Sequence, residues 1–456
     1  MVISILEYSN IMINKVEVKM RLLLPFLLFG LSFAAEIPLK VFIQQALKEN
    51  LELKSYKNQV KATEYEYKAA KGLLFPTLKI EETFTKTDIP AYVLFTKLNQ
   101  ERITAQDFLP DKLNNPDSIE NFETKLSIEI PIWIGGKLRA FKNMSKYKWF
   151  GEKTKYGRKE EEVILKVFEA YANAVLAKNA VKVAKMAVKD AEEHVRLAEK
   201  AYKTGVALFA DVLRAKVYLS KAQEKLSQAE NNYKVAKKAL ELLVNKSYGD
   251  FDVKDFEGCP IVDKAKLKKV ALENREDYKA ISYYLKFLKE GEKGALGDIL
   301  PHFFAFANYS TYDKNIPFGT QGNGYMVGIG MKWQFNTGLS PLFKVKGLKR
   351  RELALRNQKE LLAKAIMFEI DKAFADYENA LKALESAEIR LKESEEVLRV
   401  VKKRYEVGMA RVVDLLDAQT QLDNARFEYV KALRDCNIAY AKALFAAGVL
   451  KEEVRK

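Results

Sequence analysis

Residues 202–215 read YKTGVALFADVLRA, and residues 405–418 read YEVGMARVVDLLDA. Each stretch contains a glycine followed six residues later by an aspartate, and the offset between the stretches is 203 (405 − 202). Behind each stretch, apolar and small residues recur at alternating steps of three and four, over residues 219–243 and 422–446. This spacing is typical of helices that wind around partner helices. The second half of the chain therefore repeats the first, and each half contains a helical hairpin.

The composition favours long helices and argues against several classes of function. The 456 residues carry a formal net charge of +16, but lysines alternate with glutamates along the helical stretches. Such mixing indicates a solvated helix exterior rather than a surface that binds nucleic acid. The sequence contains no nucleophile–base arrangement, phosphate-binding loop or metal-ligand pattern, so it predicts no catalysis, no cofactor and no metal.

Two cysteines leave two interpretations open. Cys259 and Cys436 form no CxxC pair, and a disulfide between them is one interpretation. Cys436 lies on the helical seam, and this position favours the other interpretation, a small core residue.

The N-terminus predicts export. An apolar run over residues 22–31 follows a basic start and precedes small residues at Ser32 and Ala34. This pattern is typical of a secretory signal peptide, which we predict over residues 1–34, with Met20 as an alternative start. The run is too short for a membrane span, so we expect no inner-membrane anchor.

The remaining chain divides into two repeats, residues 35–244 and 267–456, joined by a segment over residues 245–266 that contains Gly249, Gly258 and Pro260 and is predicted to be irregular. Each repeat is predicted to contain a helix, a strand pair, a very long helix, a tight turn and a returning helix. No flexible linker separates the two repeats.

The longest predicted helix in the first repeat begins after Gly136 and runs to Thr204. Its 68 residues (204 − 136) would span about 100 Å, and Gly157 is the one position expected to weaken it. Charged residues cover these helices, so they cannot lie in a bilayer and must project into an aqueous compartment. Their length matches a periplasm.

Two segments alternate apolar with polar or small residues, residues 122–130 and 325–335, and weaker partners lie at 78–87 and 303–312. Period two predicts strands with one buried face. Aromatic residues near the strand ends are typical of a barrel in a bilayer. These are Trp133, Tyr325, Trp333 and Phe335.

Four strands per chain cannot close into a barrel, and an open edge in lipid leaves backbone groups without partners. Two chains would give eight strands and a filled interior, whereas three chains give twelve strands and an opening. The pattern therefore predicts a homotrimer with a pore.

Several motifs together resemble the TolC-like outer-membrane efflux proteins over essentially the whole mature chain. Residues 131–136 read PIWIGG, similar to the family's strand-to-helix junction. The turns at Gly205 and Gly408 resemble its periplasmic hairpin tips, and residues 98–100 (LNQ) with 114–116 (NNP) resemble its outer loop. The resemblance implies a mainly α fold, in which a trimeric 12-stranded β-barrel in the outer membrane of a diderm bacterium continues into a long periplasmic α-helical barrel. It also implies docking to a periplasmic adaptor and to an inner-membrane pump of the RND, ABC or MFS type.

By resemblance, aspartates of the second tip line the periplasmic entrance of the channel. Asp414 and Asp417 are three residues apart and share a helix face, so a trimer would hold six carboxylates there. Crowded carboxylates raise some pKa values and attract cations. In the alternative interpretation, Asp414 only stabilises the start of its helix. The first tip has Asp211 but carries Arg214 in place of the second acid, and Arg411 is the candidate for a gating salt bridge.

The resemblance also implies that the tips meet the adaptor, and the glycines are expected to permit tight turns with positive φ. The docking residues expected there are Gly205, Val206, Ala207, Gly408, Met409 and Ala410. His194 and His302 are interpreted as isolated residues that are structural or exposed.

The leading hypothesis is therefore a passive exit duct of an efflux or type I secretion system. A structural coiled-coil protein of the envelope is the main alternative, which explains the helical seams but not the strands. A periplasmic adaptor is a third, but the lipoyl-like and small β-barrel modules of adaptors are missing.

Overall fold

The computed structural model describes residues 35–455, and the signal peptide predicted over residues 1–34 lies outside them. The first half of the described chain contains β1 (Ala35–Ile37), α1 (Leu39–Glu49), α2 (Leu51–Gly72), β2 (Thr77–Thr87), α3 (Pro90–Asn99), α4 (Pro110–Asn114), β3 (Ile119–Ile134), α5 (Lys137–Lys203) and α6 (Phe209–Val244). The second half contains β4 (Phe251–Val253), α7 (Lys264–Asn274), α8 (Glu276–Leu296), β5 (His302–Asp313), β6 (Gly322–Lys332), α9 (Ser340–Glu406), α10 (Val412–Ala447) and α11 (Leu450–Arg455).

Long helices dominate the structure, and they repeat as the sequence predicts. Helices α5 and α9 have 67 residues each, and the returning helices α6 and α10 have 36 each. Equivalent helices begin at an offset of 203 (340 − 137 and 412 − 209). At 1.5 Å per residue, α5 and α9 are each about 100 Å long. None of the helices between residues 35 and 455 is long and apolar enough to cross a bilayer.

The helix continues without a break through Gly157, the predicted weak point of α5. Gly157 is buried, and a Cβ at this position would overlap the carboxylate of Glu276 at the start of α8. These atoms are the far end of a flexible side chain, so a residue with a Cβ at position 157 would displace the carboxylate rather than the backbone of α8. The cost of glycine in helix propensity applies here as elsewhere in a helix.

Short helices stack end to end on the returning helices. Asn50 separates α1 from α2, accepts the Leu53 N–H at 3.1 Å, and donates from Nδ2 to the Leu243 carbonyl of α6 at 2.7 Å. In the second repeat, Arg275 precedes α8 and donates from Nη1 to the Ala446 carbonyl of α10 at 2.9 Å. Each side chain therefore satisfies a carbonyl that the end of a helix leaves without a partner. Helix α2 packs beside α5, and α8 packs beside α5 and α9. The two helices thereby extend the lines of α6 and α10 along the long helices.

The strands form a four-stranded antiparallel sheet in the order β2-β3-β5-β6, so the prediction of four strands per chain is confirmed. Strands β2 and β6 are its edges. Strand β6 ends at Lys332, and Trp333 and Phe335 follow it rather than belong to it. The loop between β2 and β3 contains a helix, α3, that the turn residues of the sequence did not predict.

The largest core lies at the equator of the molecule, where the connecting segment meets the helices. Within residues 245–266, which were predicted to be irregular, β4 pairs in parallel with β1. The Tyr171 hydroxyl donates to the carbonyls of Ile37 at 3.1 Å and Lys254 at 2.8 Å and so holds both strands against α5. Fully buried apolar residues here include Phe42, Leu240, Phe251, Ile366 and Leu450.

A disulfide joins Cys259 of the connecting segment to Cys436 of α10, with Cα atoms 5.9 Å apart. Cys436 is fully buried, as its seam position predicts, but the interpretation that favoured an unpaired core cysteine is wrong. The connecting segment is thus covalently fastened to the returning helix of the second repeat.

Candidate functional site

The two hairpin tips share one turn geometry. Each long helix ends in a turn whose glycine, Gly205 or Gly408, has φ of +76°. In both turns the glycine N–H donates to a tyrosine carbonyl three residues earlier, Tyr202 or Tyr405, at 3.0 Å. This left-handed backbone strains any residue with a Cβ, so the predicted role of both glycines agrees with their conformation.

The two tips lie side by side and expose apolar side chains. A Cβ at Gly408 would lie 3.6 Å from Cγ1 of Val206, so the turns of the two repeats touch. Val206 is 68% exposed and Met409 is 74% exposed. Together with Leu208 and Val407 they form an apolar tip patch on one molecule, and such patches usually mark contact surfaces.

Two of the candidate entrance residues cap helices. Asp414 accepts the Arg411 backbone N–H at 3.0 Å and its Nη2 at 3.2 Å, and this pairing lowers the pKa of Asp414. Asp211 accepts the Leu208 N–H and Nη1 of Arg214, both at 3.3 Å. The alternative role, stabilisation of the helix start, therefore applies to both aspartates. The ion pair of Arg411 is with the aspartate of its own helix.

Asp417 differs from these two residues. It lies one turn beyond Asp414 on the same face of α10 and is exposed. Its carboxylate makes no hydrogen bond or ion pair with the part of the chain that the structure describes. Asp417 is therefore the one candidate entrance residue whose charge is not paired with another group of the described chain.

A buried polar network between the hairpins was missed in the sequence. Its members come from three helices: Asp190 and His194 of α5, Tyr218 of α6, and Gln419, Asp423 and Arg426 of α10. Gln419 is fully buried and donates from Nε2 to Asp190 at 3.1 Å and to Asp423 at 2.9 Å. Arg426 donates to Asp190 at 3.0 Å. The network joins the first hairpin to the second.

His194 is part of this network, so its interpretation as an isolated residue is wrong. Its Nε2 lies 2.9 Å from Oε1 of Gln419, while its Nδ1 has no partner in the described chain. The side chain is 2% exposed, and burial lowers the pKa of His194. One sequence signal could have found the network: Gln419 stands three residues before Leu422, a polar residue in the register of the apolar seam.

The four candidate interface aromatics lie toward both ends of the sheet. Trp133, near the end of β3, contacts Phe303, with ring centroids 6.1 Å apart. At the same end, Trp333 donates from Nε1 to the Ile299 carbonyl at 3.0 Å and packs on Phe335. Tyr325 lies toward the opposite end of the sheet.

The strand register separates the two faces of the sheet, because directly paired residues point to the same side. One face is apolar and exposed on the single chain, with Ile329 at 78% exposure. This apolar face includes Leu78, Ile80, Leu126, Ile128, Ala305, Ala307, Tyr309, Tyr325, Val327 and Ile329. The other face is polar in its outer part and includes Lys79, Glu81, Glu123, Lys125, Ser127, Glu129, Asn308 and Ser310.

Comparison with known proteins agrees with this architecture. The sequence model of a family described as "Outer membrane efflux protein" matches residues 42–246 and 297–449. Alkaline protease secretion protein AprF of Pseudomonas aeruginosa is 20% identical over 307 residues. That match covers 65% of this chain and 64% of AprF, less than two thirds of its length.

Solved structures share the fold. The outer membrane protein VceC of Vibrio cholerae is similar with a TM-score of 0.73 at 16% identity, over 90% of this chain and 96% of VceC. The MtrE outer membrane channel of Neisseria gonorrhoeae, in its open state, has a TM-score of 0.72 at 19% identity, over 90% of this chain and 89% of MtrE. At these identities the likeness concerns the fold.

Proposed function

The chain belongs to the outer membrane efflux protein family, and we propose that it acts as the passive exit duct of an efflux or type I secretion system. One observation carries this proposal: a sheet with an apolar and a polar face, whose two edges are unpaired, continues into helices of 67 residues. A rod-like structural protein of the envelope needs no such sheet. The name of AprF, a secretion protein, agrees with an export role.

The unpaired edges support assembly into a homotrimer. In lipid, the free N–H and C=O groups of β2 and β6 need partners, which the edges of sister chains would supply. Three sheets of four strands give twelve strands, enough to enclose an opening. The apolar face would then contact lipid, and the polar face would line the lumen.

The helical part supports the same assembly. Helices α6 and α9 lie at opposite flanks of the hairpin layer, in the order α6-α5-α10-α9. Both flanks expose large apolar side chains on a single chain, including Val235 and Leu242 on α6 and Leu361 and Phe368 on α9. Contact between α6 of one chain and α9 of the next would bury these residues, and apolar burial drives such association.

We assign the tip patch (Val206, Leu208, Val407 and Met409) to docking of a periplasmic adaptor, which would connect the duct to an inner-membrane pump. Each of these side chains is at least 68% exposed on the single chain, and exposed apolar patches usually mark a surface that contacts a partner. The pump would supply the energy for transport.

We assign the periplasmic entrance to the second tip, with Asp417 as the residue that gives it cation preference. Asp414 shares its face but is engaged by Arg411, which reduces its charge effect. The first tip contributes Asp211 with a paired Arg214 and so adds little net charge.

The test is single-channel recording of the purified full-length protein in planar bilayers. We expect discrete conductance with cation preference, and Asp417→Asn should lower the ratio of K⁺ to Cl⁻ permeability. Asp250→Asn is the matched control, because Asp250 is an exposed aspartate of the connecting segment, far from the tips. A trimer without conductance, even when Asp414 and Asp417 are both changed to alanine, would contradict the duct.

A further inference from the structure

The polar face of the sheet carries two phenylalanines at its helix-proximal end. In the strand register, Phe304 of β5 lies opposite Gly330 of β6, and Phe306 lies opposite Gly328. On its other side, Phe306 lies opposite Glu129 of β3. Directly paired residues share a face, so both rings and this carboxylate point to the side that would line the lumen.

The far ends of the two rings lie over glycines of β6. A Cβ at Gly328 would lie 2.8 Å from Cζ of Phe306, and a Cβ at Gly330 would overlap Cζ of Phe304. The ring centroids are 6.4 Å apart. Each ring therefore extends across the backbone of β6, over a position without a side chain. The end of each ring covers the glycine, and the two ring planes are inclined to each other by 34°. Both rings are half-buried on the single chain, so part of each ring surface stays accessible on this face.

A carboxylate stands beside these rings. Glu129 is exposed and makes no hydrogen bond or ion pair with the described residues. Its cross-strand distance to Phe306 is that of directly opposite residues, about 5 Å between Cβ atoms. Basic residues lie on both sides of the rings along this face. Lys79 is already paired with Glu81 at 2.5 Å, and Lys332 lies opposite His302, two residues beyond Gly330.

An apolar side chain completes the surroundings. Met326 lies two residues before Gly328 on the same face and is exposed. Aromatic ring faces attract cations through their quadrupole, and a thioether adapts to aromatic surfaces. Two ring faces, a thioether and an unpaired carboxylate are complementary to an organic cation with an aromatic body.

We propose that Phe304, Phe306 and Glu129 form an aromatic belt in the lumen, which binds lipophilic aromatic cations as they leave the helical tube. The inference rests on the proposed trimeric channel, in which the belt contains six rings and three carboxylates. Its place at the helix-proximal end of the sheet makes it the first part of the barrel that cargo meets. Farther along the lumen this face carries the polar residues Asn308 and Ser310, and then Tyr312 opposite Glu123, whose carboxylate already accepts from Ser310 at 3.3 Å.

The probe is tetraphenylphosphonium, added to the full-length protein in planar bilayers while K⁺ current is recorded. We expect it to block the current. Phe304→Leu combined with Phe306→Leu should raise the half-blocking concentration at least tenfold, since leucine covers the glycines but has no π face. Glu129→Gln should raise it as well. Tetraphenylborate, an anion of the same shape, should block far less than tetraphenylphosphonium.

Phe303→Leu is the matched control, because Phe303 is the adjacent residue of the same strand and points to the apolar face beside Trp133. It should leave the blockade unchanged. Equilibrium dialysis of the probe against the detergent-solubilised protein measures the site without conduction and should show the same ranking of variants.

The outcomes separate the two proposals. If the protein conducts but tetraphenylphosphonium neither blocks nor binds, or if the double leucine variant behaves like the wild type, the aromatic belt is refuted and the duct stands. If the protein does not conduct, the duct is refuted. Dialysis then decides the site by itself, because unchanged binding in the double variant overturns it.

Discussion

The strand-to-helix junction provides a sharp test, because its two adjacent glycines occupy different surroundings. Gly135 and Gly136 have φ of +62° and +76°, both left-handed. A Cβ at Gly136 would have no atom within 4 Å, whereas a Cβ at Gly135 would overlap the carbonyl oxygen of Gly297 and lie 2.9 Å from its Cα. Only Gly135 is therefore required by a close approach of two backbones.

The magnitudes follow from this difference. Alanine in a left-handed conformation costs roughly 1–2 kcal/mol, and this is the whole expected loss for Gly136→Ala. Gly135→Ala adds an overpacking cost of about 1–3 kcal/mol, because the obstructing atoms are backbone and cannot rotate away. We expect a total loss of about 2–5 kcal/mol for Gly135→Ala.

Gly297→Ala isolates the contact. Gly297 has φ of −60°, so alanine meets no backbone strain, but its Cβ would lie 2.7 Å from the Gly135 oxygen. We expect a loss of about 1–3 kcal/mol from overpacking alone. Urea unfolding in detergent, followed by circular dichroism at a helix wavelength, measures all three variants. Equal losses for Gly135→Ala and Gly136→Ala would refute the reasoning, because the contact would then contribute nothing.

Three further outcomes are expected. Replacing Cys259 and Cys436 with serine should lower the free energy of unfolding by up to about 5 kcal/mol, because the disulfide closes a loop with a sequence separation of 177. Thermal melting with and without reductant checks this, and a melting temperature of the wild type that does not change with reductant would argue against it. Burial lowers the pKa of His194 from 6.5, so the unfolded chain takes up the proton first, and stability should fall as the pH drops below about 6.5 toward the folded-state pKa. His194→Gln should reduce the dependence of the melting temperature on pH between neutral and mildly acidic solution. A pH dependence equal to that of the wild type would count against this assignment. Asn50→Ala removes the cap of α2 and the bond to Leu243, so urea unfolding should show a loss of about 1–2 kcal/mol, and a loss near zero would contradict the stacking role.

Local signals in the sequence were sufficient for the long helices, the tight turns and the four strands of the antiparallel sheet. Turns such as those at Gly205 and Gly408 are encoded within a few residues, because a positive φ favours glycine and an aspartate at the third helical position stabilises the helix that follows. Strand alternation is equally local, and so the four strands per chain could be predicted. The prediction that several chains assemble rests on the unpaired backbone groups that an open edge would leave in lipid.

Contacts between residues that are far apart in the sequence could not be predicted from such local patterns. Gly157 looks like a weak point when its helix is considered alone. Only the tertiary structure places the Glu276 carboxylate at the position that a Cβ of residue 157 would occupy. His194 looks isolated until α10 brings Gln419 within 2.9 Å, a separation of 225 residues along the chain.

The amino-acid sequence by itself determined the duplication, the helix lengths, the strands of the antiparallel sheet and its apolar face, because each depends on the spacing of neighbouring residues. Tertiary structure alone decided that Cys259 bonds to Cys436, that Asp417 is the unengaged acid at the second tip, and that the rings of β5 lie on the glycines of β6. The physical reason is that such pairings depend on register and packing between separate elements. Periodicity along one element specifies which face is apolar, but it does not specify which distant residue lies against it.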